Sequence, residues 1–297
     1  MNYPPSVKIV EVGPRDGLQN EKTSLDTETR VELITQLTNA GLSYIEAGSF
    51  VSPKWVPQMA GSDKVFEQLP VDAATTYAAL TPNMQGLERA MQCGVKEVAV
   101  FAAASQSFSQ KNINCSIAES IERFKPVARE ALSAGLAVRG YISCVVGCPY
   151  EGEVDIESVA QVAQQLLAMG CYEVSLGDTI GVGTPASIET LLNRLLKDIT
   201  ADKLAIHAHD TYGQALANIL IALQLGISTV DSSVAGLGGC PYAQGASGNV
   251  ATEDLIYMLN GLGINHGVDL PKLIVAGHFI SQKLNRANGS KVGIALQ

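Results

Sequence analysis

The chain has 297 residues, of which 46% are hydrophobic and 16% are charged. This composition excludes an intrinsically disordered chain and leaves enough apolar surface for a large core. The net charge is -9 at pH 7 and no basic stripe is visible, so no nucleic-acid partner is expected. Because no stretch approaches the length of about 18 consecutive apolar residues, no membrane span is expected either.

A short pattern recurs along the chain: a helical stretch ends in a small residue and a glycine, and a β-like run follows. Glycine just past a helix is typical of short connections from a helix to a strand. The pattern occurs at Gly41, Gly94, Gly135, Gly170 and Gly226, and its two longest spacings, 53 and 56 residues, each leave room for one further strand. With an opening strand, eight strands are predicted, over residues 7–13, 44–48, 73–80, 97–103, 137–145, 173–177, 204–209 and 229–235.

Helical patterns lie between most of these strands. Examples cover residues 27–40, 116–134, 156–169, 187–199 and 213–225, and two more helices are expected at 252–260 and 270–285. Alternating strands and helices indicate a parallel sheet, and eight such units in about 235 residues favour a closed TIM (β/α)8 barrel. An open doubly wound sheet is less suitable, because no G-x-G-x-x-G motif follows the first strand.

A single catalytic domain over residues 1–297 is therefore expected. The barrel would cover about residues 7–235, followed by a Gly-rich loop at 235–249 and by C-terminal helices at 250–297. These last helices would cover one end of the barrel.

Polar residues follow the carboxyl ends of several predicted strands, which is where TIM-barrel active sites lie. His207 and His209 are two apart on one strand, so both rings face the same side and can reach one ion. Paired rim histidines that bond Asp210 or Asp178 would give the same spacing. Asp16, at the end of the first strand, would lie beside the seventh and eighth strands of a closed barrel. Two histidines and a carboxylate suit a divalent metal, so a metal site becomes the favoured interpretation.

Three further charged residues surround this group in the predicted barrel. Arg15 either pairs with a neighbouring carboxylate or stabilises a developing oxyanion. Glu11 and Glu46 lie within strands, and we favour a supporting role in which each bonds Arg15 or a histidine. Asp178, at the end of the sixth strand, is assigned to the same supporting group.

Residues 235–249 have the sequence AGLGGCPYAQGASGN, which is unusually rich in glycine. Such a run is typical of a flap that moves or of a backbone that approaches a ligand closely. Cys240 at its centre is a candidate for an exposed, reactive thiol. Asn249 fits both a helix N-cap and an oxygen ligand of a metal, and spacing alone does not separate these two roles.

The loop from Gly236 to Asn249 closely resembles the signature of 3-hydroxy-3-methylglutaryl-CoA lyases. The stretches VGPRDGLQNE (12–21), SFSQKNINCS (107–116) and HAHDTYGQALAN (207–218) are similar to the same family. The resemblance runs from about residue 6 to the end. It implies a metal-dependent lyase on a TIM barrel that splits 3-hydroxy-3-methylglutaryl-CoA into acetyl-CoA and acetoacetate. The family further implies leucine breakdown and a homodimer.

The resemblance also implies roles for individual residues at the metal. Asp16, His207, His209 and Asn249 resemble the metal ligands of the family, with Mg²⁺ or Mn²⁺ as the ion. Arg15 resembles the group that stabilises the enolate oxygen. A base must take the proton of the substrate hydroxyl, and His207 is favoured over Asp16 for this step.

Other roles implied by the resemblance lie around this centre. Cys240 resembles a loop thiol that assists proton transfer. Glu46 and Glu253 resemble supporting acidic residues. Lys111 and Asn112 fall where family members contact CoA, so an acyl-CoA substrate is expected to reach them.

Alternative functions share some of these motifs. A Claisen-condensing relative, such as an isopropylmalate or homocitrate synthase, has the Arg-Asp and His-x-His motifs but typically lacks the loop cysteine and carries an accessory region. An aldolase for 4-hydroxy-2-oxo acids and a binding protein without turnover are further options. The N-terminus shows no signal or transit peptide and the six cysteines are scattered, so a cytoplasmic protein with reduced thiols is expected.

Overall fold

The structure is a computed structural model that describes residues 3–70, 74–239 and 248–296. Eight parallel strands form a closed barrel, so the predicted TIM-barrel fold is confirmed. The strands are β1 (Lys8–Glu11), β2 (Tyr44–Ser49), β3 (Thr76–Leu80), β4 (Glu97–Ala103), β5 (Ala137–Ser143), β6 (Val174–Asp178), β7 (Leu204–Ala208) and β8 (Thr229–Ser232). They pair in sequence order, and β8 pairs with β1 to close the barrel.

Helices alternate with these strands around the outside of the barrel. They are α1 (Thr27–Asn39), α2 (Ser62–Gln68), α3 (Met84–Gln92), α4 (Gln106–Ile113), α5 (Ile117–Ser133), α6 (Ile156–Ala168), α7 (Pro185–Leu195), α8 (Ala215–Gln224), α9 (Thr252–Leu262), α10 (Leu270–Leu284) and α11 (Lys291–Ala295). The predicted C-terminal cover consists of α9–α11. Helix α9 packs beside α8, and α10 packs beside α1 and against the turn that follows β8.

Local sequence explains these elements. Helix α1 buries Leu33, Ile34 and Leu37, which share one helical face. All six residues of β2 are buried, as expected for a parallel strand covered on both sides. Helix α5 begins after Ser116, whose side chain forms a capping box with Glu119. No helix in the described part of the chain is long and apolar enough to cross a membrane.

Several predicted strands are shorter than expected, and two of them end early in turns at the carboxyl end of the barrel. Strand β1 ends at Glu11 because Gly13–Gly17 forms a π-helical turn. Strand β8 ends at Ser232 because Val234–Gly236 forms a 3₁₀ turn in which Ala235 has a φ of 54°. The two turns contact each other, and they position the polar residues described next.

Candidate active site

Three side chains converge at the carboxyl end of the barrel. Asp16 lies in the π-helical turn after β1, His207 lies on β7 and His209 follows that strand. One ligand atom of each residue lies within 4.8 Å of the others, and the two Nε2 atoms are 3.3 Å apart. The structure thus brings together the two histidines and the carboxylate that the sequence singles out.

The charge states of this cluster suit a cation. Burial, with the charge of His207 as a second cause, lowers the pKa of His209 to about 4, so its imidazole is neutral at pH 7. Burial alone would raise the pKa of Asp16, but the charge of Arg15 opposes it and the net pKa is about 2. His209 Nδ1 is buried and has no hydrogen-bond partner among the described residues. Neutral imidazole and ionised carboxylate are the forms that bind a divalent metal.

His207 is oriented from inside the barrel by Asp231, a residue that the sequence reasoning missed. Its Nδ1 lies 3.2 Å from Asp231 Oδ2, and the two residues are register partners on neighbouring strands. Burial alone would lower the pKa of His207, but the hydrogen bond and charge of Asp231 raise it overall. A proton on Nδ1 therefore bonds the carboxylate, and the Nε2 lone pair faces the cluster.

Asp231 is in turn paired with Arg139, which crosses the barrel interior from β5 to β8. Arg139 Nη2 donates to Asp231 Oδ1 at 2.7 Å, and Ser175 Oγ donates to Asp231 Oδ2 at 2.6 Å. Arg139 Nε also donates to Glu173 at 2.7 Å, and Arg139 is fully buried. A signal was available in the sequence, because Arg139 and Asp231 are ionisable residues within runs predicted as barrel strands.

Arg15 is held between two carboxylates. Its Nε and Nη2 each lie 2.5 Å from Glu46 Oε2, and its Nη1 donates to Asp16 Oδ1 at 2.7 Å. The expected pairing of Glu46 with Arg15 is present. Among the described residues these contacts use three of the five N–H donors of the guanidinium. Two donors of a well-positioned cation therefore remain for a further oxygen.

Glu11 has different partners from those predicted. It accepts hydrogen bonds from the backbone N–H groups of Gly13 (2.8 Å) and Val234 (2.9 Å) and from Thr252 Oγ1 (2.6 Å). The predicted bond to Arg15 or a histidine is wrong, because the two turns at the strand ends present their backbone donors to this carboxylate. Burial raises the pKa of Glu11 to about 7.

Glu253 and Asp178 also hold backbone turns. Both oxygens of Glu253 accept from the Ala235 N–H, at 3.0 and 2.9 Å, and burial raises its pKa to about 8. Asp178 accepts from the N–H groups of Val182 (3.1 Å) and Gly183 (2.8 Å), and burial raises its pKa to about 6. Both carboxylates therefore bind the backbone of the turns after β8 and β6, and their supporting role at the site stays a prediction.

Asn249 faces the cluster. Its Nδ2 donates to Asp16 Oδ2 at 2.9 Å and to the carbonyl oxygen of Leu237 at 3.2 Å, and its backbone bridges to His209. The N-cap of α9 is Ala251, so the alternative of Asn249 as that cap is wrong. Its role as a metal ligand stays a prediction.

The remaining predicted residues are Lys111, Asn112 and Cys240. Lys111 and Asn112 are exposed near the end of α4, in the connection that follows the carboxyl end of β4. Lys111 Nζ lies 5.9 Å from the centre of the Tyr150 ring. Their contact with CoA stays a prediction. Cys240 lies outside the described residues.

Comparison with known proteins places this geometry in a family context. The sequence matches the HMGL-like family over residues 6–280. It is 59% identical to the mitochondrial hydroxymethylglutaryl-CoA lyase of Bos taurus, over 99% of this chain and 90% of that protein. The fold is similar to the crystal structure of the Pseudomonas aeruginosa hydroxymethylglutaryl-CoA lyase, with a TM-score of 0.98, 59% identity and coverage of 100% and 99% of the two chains. A lyase from Acinetobacter baumannii, solved with coenzyme A and 3-methylmalate, is similar with a TM-score of 0.94 and 34% identity, over 99% and 96% of the chains.

Proposed function

The chain belongs to the HMGL-like family, and we propose that it is a hydroxymethylglutaryl-CoA lyase, which cleaves 3-hydroxy-3-methylglutaryl-CoA into acetyl-CoA and acetoacetate. Identity of 59% to a lyase of that name, over nearly the whole chain, supports the reaction. The observation that carries the proposal is the cluster of Asp16, His207 and His209 beside the positioned Arg15.

The cluster fits a divalent metal, which we propose to be Mg²⁺ or Mn²⁺. Asp16, His207 and His209 would hold the ion, with Asn249 as a further oxygen ligand. A bound divalent ion lowers the pKa of a substrate hydroxyl and polarises a neighbouring oxygen. The carboxylate and the amide carbonyl are the donors of this set that suit Mg²⁺ and Mn²⁺.

Proton removal from the tertiary hydroxyl begins the cleavage, and we propose His207 Nε2 as the acceptor. Asp231 Oδ2 accepts a hydrogen bond from the protonated Nδ1 of His207, so Nε2 carries the lone pair. Asp16 is the weaker base because its pKa is about 2. Because Nε2 has one lone pair, His207 would either hold the ion or take the proton, and as the base it would leave the ion to Asp16, His209 and Asn249.

Charge then develops on the thioester oxygen, because the electron pair of the broken C–C bond forms an enolate. Arg15 would stabilise this oxygen. Burial alone would lower the pKa of Arg15, but the charges of Glu46 and Asp16 raise it above its ordinary value, so the cation persists. A donor positioned before the reaction contributes several kcal/mol, since nothing has to reorganise. Protonation of the enolate carbon, for which Cys240 is the proposed donor, completes acetyl-CoA.

Assembly and location are parts of the same proposal. A homodimer in the cytoplasm is proposed for the chain. The cysteines of the described residues form no disulfide, which fits a reducing compartment; they are Cys93, Cys115, Cys144, Cys148 and Cys171. Size-exclusion chromatography with light scattering tests the dimer directly, and a mass of one chain would reject it.

Acetoacetate release from 3-hydroxy-3-methylglutaryl-CoA tests the reaction. The purified protein is assayed with Mg²⁺ or Mn²⁺ and again with excess EDTA, and acetoacetate and acetyl-CoA are expected in equal amounts only with metal. Parallel reactions with acetyl-CoA and 2-oxo acids test the condensing alternative. Absence of cleavage with metal present would reject the lyase, and condensation without cleavage would replace it.

A further inference from the structure

An ion pair joins two distant parts of the chain beside the metal cluster. Glu21 lies five positions after Asp16, and Arg286 is the second residue after α10. Arg286 Nη1 pairs with Glu21 Oε1, and both side chains are partly buried. Asn285, with φ 51° and ψ 47°, ends α10 in the left-handed region and redirects the chain at this point. Neither member of the pair has a role in the chemistry above.

The pair also binds the backbone of the glycine-rich segment. We define the neck of this segment as Gly236–Gly238 together with Gly248 and Asn249. Glu21 Oε1 accepts from the Gly238 N–H at 3.3 Å, and Arg286 Nη2 lies 3.5 Å from the Gly236 carbonyl oxygen. Each member of the ion pair therefore contacts one end of the same three-residue stretch.

The neck packs tightly on itself. A Cβ added at Gly248 would lie 2.4 Å from the Gly238 carbonyl oxygen, so the two sides of the neck are in backbone contact. The C-terminal segment supports it from outside, because the Gly289 N–H donates to the Ala235 carbonyl oxygen at 3.0 Å. Side chains at Gly248 or Gly289 would force these segments apart.

The neck contains one proposed metal ligand, Asn249, and contacts another, Asp16. Asn249 Nδ2 donates to both Leu237 O and Asp16 Oδ2. A Cβ at Gly17, the residue after Asp16, would lie 2.7 Å from Leu237 Cβ. Asn20 Nδ2 donates to the Asp16 carbonyl oxygen at 3.1 Å, which ties Asp16 to the segment that carries Glu21. A shift of Gly236–Gly238 would therefore change the separation of Asp16 and Asn249.

We propose that Glu21 and Arg286 are positioning residues for the metal centre, because their ion pair sets the distance between the Asp16 turn and Asn249 through the neck. The inference rests on the proposed function in that it takes the cluster to be a metal site. Residues that orient metal ligands typically change metal affinity or activity by about 10–100-fold when they are replaced.

Mn²⁺ binding to the full-length protein, measured without substrate by the electron paramagnetic resonance of free Mn²⁺, tests this role. Arg286→Gln removes the charge and the contact with Gly236, whereas Glu21→Gln keeps an acceptor for the Gly238 N–H. We expect the Kd for Mn²⁺ to rise about tenfold in Arg286→Gln and less in Glu21→Gln. Arg286→Lys keeps the charge and should lie closest to the wild-type value.

Arg194→Gln is the matched control. Arg194 also pairs with a glutamate from another part of the chain, Glu157, at 2.6 Å, but this pair is solvent-exposed between α6 and α7. Its Kd for Mn²⁺ should equal that of the wild type. The melting temperature of the metal-free protein should stay within about 2 °C in all four variants, which separates a positioning effect from loss of fold.

An unchanged Kd for Mn²⁺ in Arg286→Gln would overturn the proposal. Glu21 and Arg286 also line a cleft of about 640 Å³ that reaches Asn249, so direct contact with the substrate is the competing role. A raised KM with unchanged kcat and unchanged Mn²⁺ affinity would establish that role and overturn ours. A wild-type protein that binds Mn²⁺ but does not release acetoacetate from 3-hydroxy-3-methylglutaryl-CoA would reject the lyase function alone.

Discussion

Replacement of Asp231 by asparagine tests whether this carboxylate orients His207. The replacement leaves all the proposed metal ligands in the chain. Asp231 accepts from Arg139 through two nitrogens, at 2.7 and 3.2 Å, from Ser175 at 2.6 Å and from His207 at 3.2 Å. The asparagine side chain has the same shape but presents an N–H₂ group in place of one oxygen. Arg139 would then keep Glu173 as its remaining carboxylate partner among the described residues.

The expected loss of stability follows from the burial of this pair. Arg139 and Asp231 are 0% and 2% exposed, so solvent cannot replace the lost charge. Removal of one partner of a buried ion pair costs about 3–5 kcal/mol. For a protein of this size that corresponds to a melting temperature lower by about 5–8 °C. Since His207 also loses its acceptor, Mn²⁺ should bind about 10–100-fold more weakly.

Calorimetry of the metal-free protein and Mn²⁺ titration measure these two effects separately. Glu173→Gln is the control, because Glu173 bonds Arg139 Nε at 2.7 Å and has no contact with His207. It should lower the melting temperature and leave Mn²⁺ affinity unchanged. Asp231→Asn with wild-type Mn²⁺ affinity would refute the view that this carboxylate orients His207.

Three other changes test further parts of the site. The folded wild type holds a proton on Glu253 up to its pKa of about 8, whereas the unfolded chain releases it near pH 4.5. The wild type therefore loses stability as the pH rises from 5 to 8. Glu253→Gln has no such proton, so its stability relative to the wild type should rise over this range by up to about 4 kcal/mol. Glu11 and Asp254, whose charges act on Glu253, are present in both proteins, so a difference in unfolding free energy that is constant with pH would contradict this assignment. His209→Ala should lose high-affinity Mn²⁺ binding in calorimetric titration, and retention of the ion would remove His209 from the ligand set. Cys240→Ala should lose most turnover while keeping Mn²⁺ affinity, and near-normal kcat would exclude the thiol from proton transfer.

Periodic features of the sequence predicted the barrel and the cluster of Asp16, His207 and His209. The two-residue spacing of His207 and His209 places both rings on one side of β7, and the closed barrel brings the β1 end to them. These inferences succeed because side chains alternate regularly along a strand, and because the strands of a closed parallel barrel follow one another in a regular order. The glycines that end the helices locate the strands for the same reason.

Contacts that depend on irregular turns were not predictable in this way. Glu11 bonds the backbone of two turns, and the left-handed Ala235 that shapes one of them has no signal in residue type, since alanine rarely adopts that conformation. The pairing of Arg139 with Asp231 depends on which strands face each other across the barrel. Sequence shows two ionisable residues in strands, but only the closed barrel shows that they meet.

Mn²⁺ titration of the metal-free protein, with acetoacetate release followed in the same samples, tests the central claim most directly. The cluster of Asp16, His207 and His209 predicts that the cleavage rate rises with bound Mn²⁺ and saturates at one ion per chain. Full cleavage of 3-hydroxy-3-methylglutaryl-CoA in excess EDTA, or saturated Mn²⁺ binding without any cleavage, would contradict it.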